Sequence, residues 1–272
     1  GAFEQLGMAY EVRQMPEDER PVPVLHLVSF SDLQDWTVAA DDFVQDGNPD
    51  RLAQLTRKNV LPILSESKGQ DAVARNLQSI THGLDQLVKK ITTNRGQQIW
   101  RYNFEALYHA LDGFSNEQSY IKPLNGVIDH IKSKVSRFRK AQWLEAVNWC
   151  IEHQLIQQGI TQLQEGVITW LCNYYSEKGW GASGYFNPEH NGKGRDLISR
   201  ALQFIDHTPP EEEWRGQVAR HKALAYQIME DELAQALATP FSRLAKARND
   251  INHGGYTKNT KADNFYQILQ DC

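Results

Sequence analysis

The sequence predicts a nearly all-α fold with one short β segment close to its N-terminal end. Apolar residues recur at spacings of three and four along most of the chain, which is the period of a helix with one buried face. A single apolar and β-branched run, VPVLHLVSF from Val22 to Phe30, is bounded by turn-forming residues and is the only convincing strand. Because one strand cannot form a sheet, this run either packs as an extended segment or ends a domain whose front half is absent.

Composition indicates an ordinary globular chain. The 272 residues, 40% of them hydrophobic and 23% charged, suffice for one large domain or two small ones. The net charge of −5 predicts that any nucleic acid contacts a local basic site only. Three cysteines without CxxC pairing argue against a disulfide framework. Neither a bilayer-spanning run nor a signal peptide is visible, so we expect a cytoplasmic protein that does not contact membranes.

The helices are predicted from apolar periodicity and from residues that start or stop helices. Asp32 is expected to cap the first helix and Gly47 to end it, and a long helix is expected from about Asp71 to Thr93. The apolar stripe of this long helix is Val73, Leu77, Ile80, Leu84, Leu87 and Ile91. The later predicted helices are Trp100–Leu111, Leu124–Phe138, Lys140–Gln157, Thr161–Ser176, Gly194–Asp206, Pro210–Asn252 and Ala262–Gln270. A break near Pro240 is expected within the longest of these.

Three further features have both a structural and a functional interpretation. The Gly- and Asn-rich segment Lys178–Lys193 predicts a long loop, which is functional or mobile. The basic residues within Lys132–Lys140 stabilise a helix end or follow an RNA backbone. The aromatic residues between Trp143 and Tyr175 lie at helical spacing, which is typical of a core or an interface.

The segment RNDINHG, from Arg248 to Gly254, places an arginine and a histidine at a predicted helix end. Asn252 and Gly254 are helix-stop residues, so Arg248 is expected in the last turn and His253 at or just beyond the end. On an unbroken helix, residues five apart point roughly 140° away from each other. A helix that stops here leaves His253 able to turn toward Arg248.

An arginine and a histidine at one site are sufficient to cut RNA. The guanidinium binds a phosphate through paired hydrogen bonds, and the imidazole moves a proton to or from an oxygen. RNA supplies its own nucleophile, the 2′-OH beside each phosphate, so neither a metal nor another cofactor is needed. In this scheme Arg248 stabilises the phosphorane, His253 acts as general acid or base, and the product is a 2′,3′-cyclic phosphate.

The spacing of Arg248 and His253 by itself favours a structural interpretation. Two similar pairs, Arg75 with His82 and Arg215 with His221, lie inside predicted helices and are interpreted as solvated helix faces. A helix-end histidine next to a surface arginine is the equivalent interpretation for RNDINHG. A resemblance to a known family, described next, favours the catalytic interpretation of RNDINHG over the structural one.

RNDINHG resembles the RN-x-x-x-H-(A/G) signature of HEPN ribonucleases, on a late helix of a helical domain. Two longer stretches are similar to the CARF–HEPN ribonucleases of type III CRISPR systems, the DxTHG family. GAFE followed by PVPVLHLVSFSDLQDWTVAADDFVQDGN is similar to the last strand of that family's sensor domain and the helix after it. AQWLEAVNWCIEHQLIQQGITQLQEGVITWL is similar to the helical pair in the middle of its HEPN region. The resemblance is spread over most of the chain, and its motifs occur in the expected order.

The resemblance implies three regions. Residues 1–30 correspond to the tail of a CARF-type α/β sensor domain, 31–95 to connecting helices, and 96–272 to a HEPN-type helical ribonuclease domain. Most of the sensor, including the DxTHG motif, would precede Gly1. In the full-length protein this sensor binds the activator, a cyclic oligoadenylate.

The resemblance also implies a homodimer that cleaves single-stranded RNA. Each protomer contributes Arg248 and His253 to a composite cleft, and Asn249 and Asn252 orient the pair or bind the phosphate. One alternative is a non-catalytic HEPN-like module for dimerisation or interaction, which the negative net charge mildly favours. Another is a metal-dependent nuclease, against which the lack of a clustered carboxylate motif argues.

Overall fold

A computed structural model describes residues 16, 28–116, 124–139, 142–187, 192–256 and 260–272 of the chain. All regular elements within these ranges are helical, which confirms the all-α prediction. The first seven α-helices are α1 (Val28–Asp46), α2 (Asp50–Leu55), α3 (Leu61–Glu66), α4 (Ala72–Thr92), α5 (Gly96–Trp100), α6 (Phe104–Asn116) and α7 (Leu124–Ser136). The next seven are α8 (Gln142–Glu152), α9 (Ile156–Glu177), α10 (Lys193–Asp206), α11 (Gly216–Arg220), α12 (Lys222–Met229), α13 (Glu232–Asn252) and α14 (Ala262–Asp271). A π-helical turn, Thr56–Val60, joins α2 to α3, and short 3₁₀ turns occupy Arg137–Arg139 and Glu211–Glu213.

The predicted N-terminal strand is wrong at its C-terminal end. Val28 to Phe30 form the first turn of α1, and Asp32 lies inside that helix instead of capping it. Local strand propensity is weak, and here it yields to a helix that buries Trp36 and Phe43 farther along. Residues 22–27 of the predicted strand lie outside the described residues.

Helix ends and apolar periodicity were predicted well in this half of the chain. Gly47 follows α1 with φ 70, and its N–H donates to the carbonyl oxygen of Phe43 at 3.0 Å, as expected of a helix-ending glycine. In α4, five of the six residues of the predicted apolar stripe are buried and Val73 is half-buried.

The described chain divides into two compact units, and the first comprises residues 1–88 and 103–137. Within it α1 packs against α2 and α7, and α6 packs against α7. The Tyr108 hydroxyl donates to the carbonyl oxygen of Val135 at 3.1 Å and ties α6 to the end of α7. Phe43, Leu111 and Phe114 are fully buried apolar side chains of this unit.

The second unit comprises residues 89–102 and 138–272 and is organised around α9. Helix α9 pairs with α8 across a turn at Gln154, which has φ 55, and it also contacts α10, α13 and α14. Gly159 makes the contact with α14 possible, because a Cβ at this position would lie 2.5 Å from Cδ2 of Leu269. A second, smaller group of apolar residues, including Leu244 and Ala247 of α13, surrounds Leu269.

One end of this unit is filled by a large apolar cluster, which we call the aromatic core. Its principal members are Leu171, Tyr175, Phe186, Leu197, Ile198, Trp214, Ala225 and Phe241. The described residues between α9 and α10, 178–187 and 192, are non-helical as predicted, and aromatic side chains attach this segment to the core. Trp180 stacks on Tyr175 with ring centroids 4.8 Å apart, and Phe186 is 1% exposed.

The prediction of one helix over Pro210–Asn252 is wrong. The region contains α11, α12 and α13, and α13 begins at a new cap, where the Asp231 carboxylate accepts the N–H of Ala234 at 3.2 Å. The expected break at Pro240 does not occur. Pro240 lies inside α13, where burial of its neighbours Ala238 and Phe241 compensates for the missing N–H. None of the described helices is both long and apolar enough to cross a membrane.

Candidate functional site

The second unit contains a cavity of about 780 Å³ between α5, α8, α9, α10 and α13. Its wall carries four arginines, Arg95, Arg101, Arg195 and Arg248, and one acidic residue, Glu165. Within the part of the chain that the structure describes, no lysine, histidine or aspartate lines it, so four positive charges and one negative charge leave a formal charge of +3. On a chain with a net charge of −5, this is a local concentration of positive charge that attracts anions.

Helix α9 supplies one side of the cavity through a polar stripe. Gln157, Thr161, Glu165, Thr169 and Asn173 follow one another at intervals of four residues and all line the cavity. Residues four apart share a face of an α-helix. The stripe is therefore a property of the sequence, and it predicts a polar face on a helix that is otherwise largely buried.

Glu165 joins two of the arginines. Its Oε1 accepts from Nη1 of Arg248 at 2.9 Å, and its Oε2 accepts from Nη2 of Arg195 at 2.5 Å. Arg195 also donates through Nη1 to the Thr169 hydroxyl at 2.6 Å, and the Gln164 side chain accepts from Arg248 at 3.4 Å. The shared carboxylate thus holds both guanidinium groups at the cavity wall.

Aromatic side chains form another part of the wall. Trp100, at the end of α5, is 36% exposed, and its ring is parallel to that of Trp143 within 3°, with centroids 6.2 Å apart. The Trp143 ring lies directly on Gly166 of α9, where any Cβ would collide with it. The glycine therefore determines how closely Trp143, and the ring stacked on it, approach α9.

The wall also contains buried polar atoms without a hydrogen-bond partner. Gln162 is only 5% exposed, and its side-chain oxygen lies 3.0 Å from the position of a Cβ on Gly96, while its Nε2 bonds to nothing. The side-chain Oδ1 of Asn94 is likewise buried without a partner. Such atoms are uncommon in folded proteins, because desolvating a polar group without replacing its hydrogen bond costs free energy. Two residues of the cavity lining thus carry one donor and one acceptor that are not satisfied within the described residues.

The predicted catalytic residues separate into those at the cavity and those outside it. Arg248 and the exposed Asn252 line the cavity. Asn249 and His253 are exposed and belong to no part of its lining. Helix α13 ends at Asn252 and His253 is its C-cap, as the stop signals predicted. Among the described residues, the recorded hydrogen bonds of Arg248 go to α9 and none goes to His253.

Other predicted residues have ordinary structural positions. Of the aromatic residues in α8 and α9, Trp149 and Tyr175 are buried, Trp143 is half-buried in the cavity wall, and Trp170 is 39% exposed. Within the basic cluster, Lys132 forms an ion pair with Asp112. Among the residues that the structure describes, no three His, Cys, Asp or Glu side chains are grouped so that they could hold a metal ion.

Sequence reasoning did not identify Arg195 or Trp100 as site residues. Arg195 is 30 residues from Glu165, and Arg248 is 83 residues from it, so only the packing of α10 and α13 on α9 brings the three together. The stripe on α9 was the available signal, since it marks where a polar partner is needed.

Residues 32–142 match the family model for the second domain of the CRISPR-associated protein MJ1674. The match supports the assignment of this chain as a CRISPR-associated protein. No curated protein and no solved structure matches the chain. The matched residues include Arg95, Trp100 and Arg101 of the cavity wall, whereas Arg248 and His253 lie beyond the match.

Proposed function

We propose that the chain is a metal-independent endoribonuclease of CRISPR antiviral defence that cuts single-stranded RNA. The observation that carries the proposal is the position of Arg248. It lies in an arginine-lined cavity, in the last turns of a late helix that stops one residue before His253. The match to a CRISPR-associated family supports the biological setting, and the resemblance of RNDINHG to the HEPN signature supports the chemistry.

The guanidinium of Arg248 retains the capacity to bind a phosphate. Its hydrogen bonds to the Glu165 and Gln164 side chains both use Nη1. Nη2 and Nε are therefore left to donate to phosphate oxygens. Arg195, held by the same carboxylate, adds a second positive charge at the wall. In the proposed reaction a base takes the proton of the RNA 2′-OH, whose oxygen attacks the adjacent phosphorus. The 5′-oxygen of the next nucleotide leaves with a proton, and Arg248 stabilises the phosphorane between these steps.

His253 has the exposure that a proton carrier for a large substrate needs. It caps α13 at the surface, four residues after Asn249, and does not enter the cavity of its own protomer. The proposal therefore includes a homodimer in which two copies of the Arg248 and His253 pair form a composite cleft. In the full-length protein a cyclic oligoadenylate, bound by the sensor domain, controls this cleft.

A fluorogenic single-stranded RNA assay with EDTA, with and without cyclic oligoadenylate, tests the proposal. We expect Arg248→Ala and His253→Ala each to lower cleavage by about 10²- to 10⁴-fold, as removal of an acid–base or charge-stabilising group does. Lys246→Ala, at an exposed position on the same helix, and His207→Ala are matched controls that retain activity. Equal cleavage by all five proteins contradicts the proposal, and cleavage that EDTA abolishes indicates a metal-dependent nuclease.

A specific observation favours a second candidate, a non-catalytic HEPN-like module for dimerisation or interaction. Arg248 is bonded to Glu165, and His253 lies outside the cavity lining. This candidate predicts a dimer that does not cleave RNA with or without the activator. Analytical ultracentrifugation alongside the cleavage assay distinguishes the two candidates.

A further inference from the structure

We infer that the cavity is a subsite for one unpaired nucleotide of single-stranded RNA, whose base stacks on the Trp100–Trp143 pair while arginines hold its phosphate. The inference rests on the proposed function for the class of ligand and goes beyond it in assigning a binding role to residues outside RNDINHG. Its first support is electrostatic. Glu165 neutralises part of the charge of Arg195 and Arg248, yet the lining keeps a formal charge of +3.

Arg95 provides a cation for the phosphate. It precedes α5 at the cavity rim, and among the described residues no carboxylate forms an ion pair with it. A guanidinium without a carboxylate partner, beside others that have one, is available for an anion from solution.

The tryptophan pair provides a surface for a base. Base stacking on aromatic rings is the usual way in which proteins hold unpaired nucleotides, because every base has a flat π face. Trp100 is exposed enough to accept a base, and Trp143 fixes its plane from α8. Since the Trp143 ring rests on Gly166, α9 supports one face of this aromatic pair.

Polar atoms at the wall match the edge of a base. A nucleobase edge presents donors and acceptors together, and two residues of the cavity lining, Gln162 and Asn94, carry a buried Nε2 and Oδ1 without a hydrogen-bond partner. The volume of about 780 Å³ lies within the range of small-ligand sites. Charge, stacking surface and polar atoms in one cavity thus correspond to phosphate, base face and base edge.

The experiment measures binding separately from cleavage. A labelled RNA of mixed sequence with 2′-O-methyl groups at every position lacks the nucleophile and stays intact, and fluorescence anisotropy gives its affinity for the full chain. We expect Trp100→Ala to weaken binding by about ten-fold or more and Trp100→Phe to restore most of the affinity. Trp170→Ala is the matched control, because Trp170 is similarly exposed, stacks on Tyr174 and does not line the cavity.

Salt dependence tests the phosphate contact. Arg95→Gln is expected to reduce the slope of log affinity against log salt by about 0.7, the value for one phosphate on a single strand. Arg220→Gln, at an exposed position of the same unit, leaves the slope unchanged. For the same strand annealed to its complement, wild type and Trp100→Ala bind equally, because paired bases are not available to stack.

The outcomes separate this inference from the proposed nuclease. Equal RNA affinity of Trp100→Ala and Trp170→Ala overturns the subsite, whatever the cleavage assay shows. Weakened binding by Trp100→Ala in a protein that does not cleave RNA retains the subsite and removes the nuclease. Adenosine monophosphate is the competing ligand. If it binds wild type as tightly as the RNA does, and if Trp100→Ala weakens its binding, the ligand is a free nucleotide and RNA is overturned.

Discussion

The two sides of α9 differ in how completely the chain fills the space beside them. On one side, Leu171 and Tyr175 join the aromatic core, which the loop after α9 closes with Trp180 and Phe186. On the other side, the polar stripe faces a cavity that keeps unbonded polar atoms and four arginines. Apolar residues would fill this second side with a gain in stability, so its polarity points to a role in binding. Apolar packing is thus concentrated on one face of α9 and polar side chains on the other.

The largest expected loss of stability comes from a substitution in the aromatic core, which fills one side of α9. Phe241→Ala removes a ring that is 2% exposed in the aromatic core, and we expect the free energy of unfolding to fall by about 3–5 kcal/mol. Trp100→Ala, at the cavity wall, is expected to cost only about 1 kcal/mol, because the ring is partly exposed and loses chiefly its stack with Trp143. Chemical denaturation measures both. Comparable losses in the two variants would contradict the division between a stabilising side and a binding side.

A smaller change in the free energy of unfolding is expected for Gly166→Ala, which lies on α9 in the cavity wall. An alanine there collides with the Trp143 ring, and overpacking of this kind costs about 1–3 kcal/mol, which exceeds the gain from replacing a helical glycine. Gly126→Ala in α7 is the matched control, since no side chain or backbone atom from outside its own stretch of helix lies within 4 Å of its Cβ position. The control is expected to raise the free energy of unfolding by about 0.5–1 kcal/mol. A stabilised Gly166→Ala protein would show that Trp143 is not held by α9.

The smallest effect is expected inside the cavity. Glu165→Gln keeps the shape of the side chain but removes the charge between Arg195 and Arg248. Because these side chains are 23–40% exposed, we expect a loss of about 1 kcal/mol or less, diminishing at high salt. Asp271→Asn, which removes a more exposed pair with Arg243, is the control and should change stability by less than about 0.5 kcal/mol. If Glu165→Gln instead lowers the free energy of unfolding by several kcal/mol, the ion pairs of Glu165 are required for the stability of the second unit.

Much of the helical framework could be predicted from sequence, because its signals are local. Apolar spacing located α4, α9 and α10, and Gly47 and Asn252 marked helix ends that the structure confirms. Errors arose where a cap was overlooked. Asp231 begins α13 and divides what looked like one long helix, whereas Pro240, which looked like a break, is accommodated by burial around it.

The cavity could be predicted only in part. Local signals identified Arg248 and the end of its helix, and the polar stripe around Glu165 was visible at a spacing of four. The partners of these residues come from α5, α8 and α10, and no local pattern links them to α9. Long-range packing decides which arginine meets which carboxylate, so Arg195 and Trp100 emerge only from the fold.

The contact between Leu269 and Gly159 links α14, a helix of ten residues, to α9, the helix that carries Glu165. Leu269 rests on α9 at Gly159, six residues before Glu165, and it belongs to the same apolar cluster as Ala247, the neighbour of Arg248. Loss of α14 would therefore remove an apolar side chain that packs with α9 and α13, the two helices that carry Glu165 and Arg248. Variants that shorten this terminus, or fuse another sequence to it, are expected to disturb the cavity wall although they change none of the residues that line it.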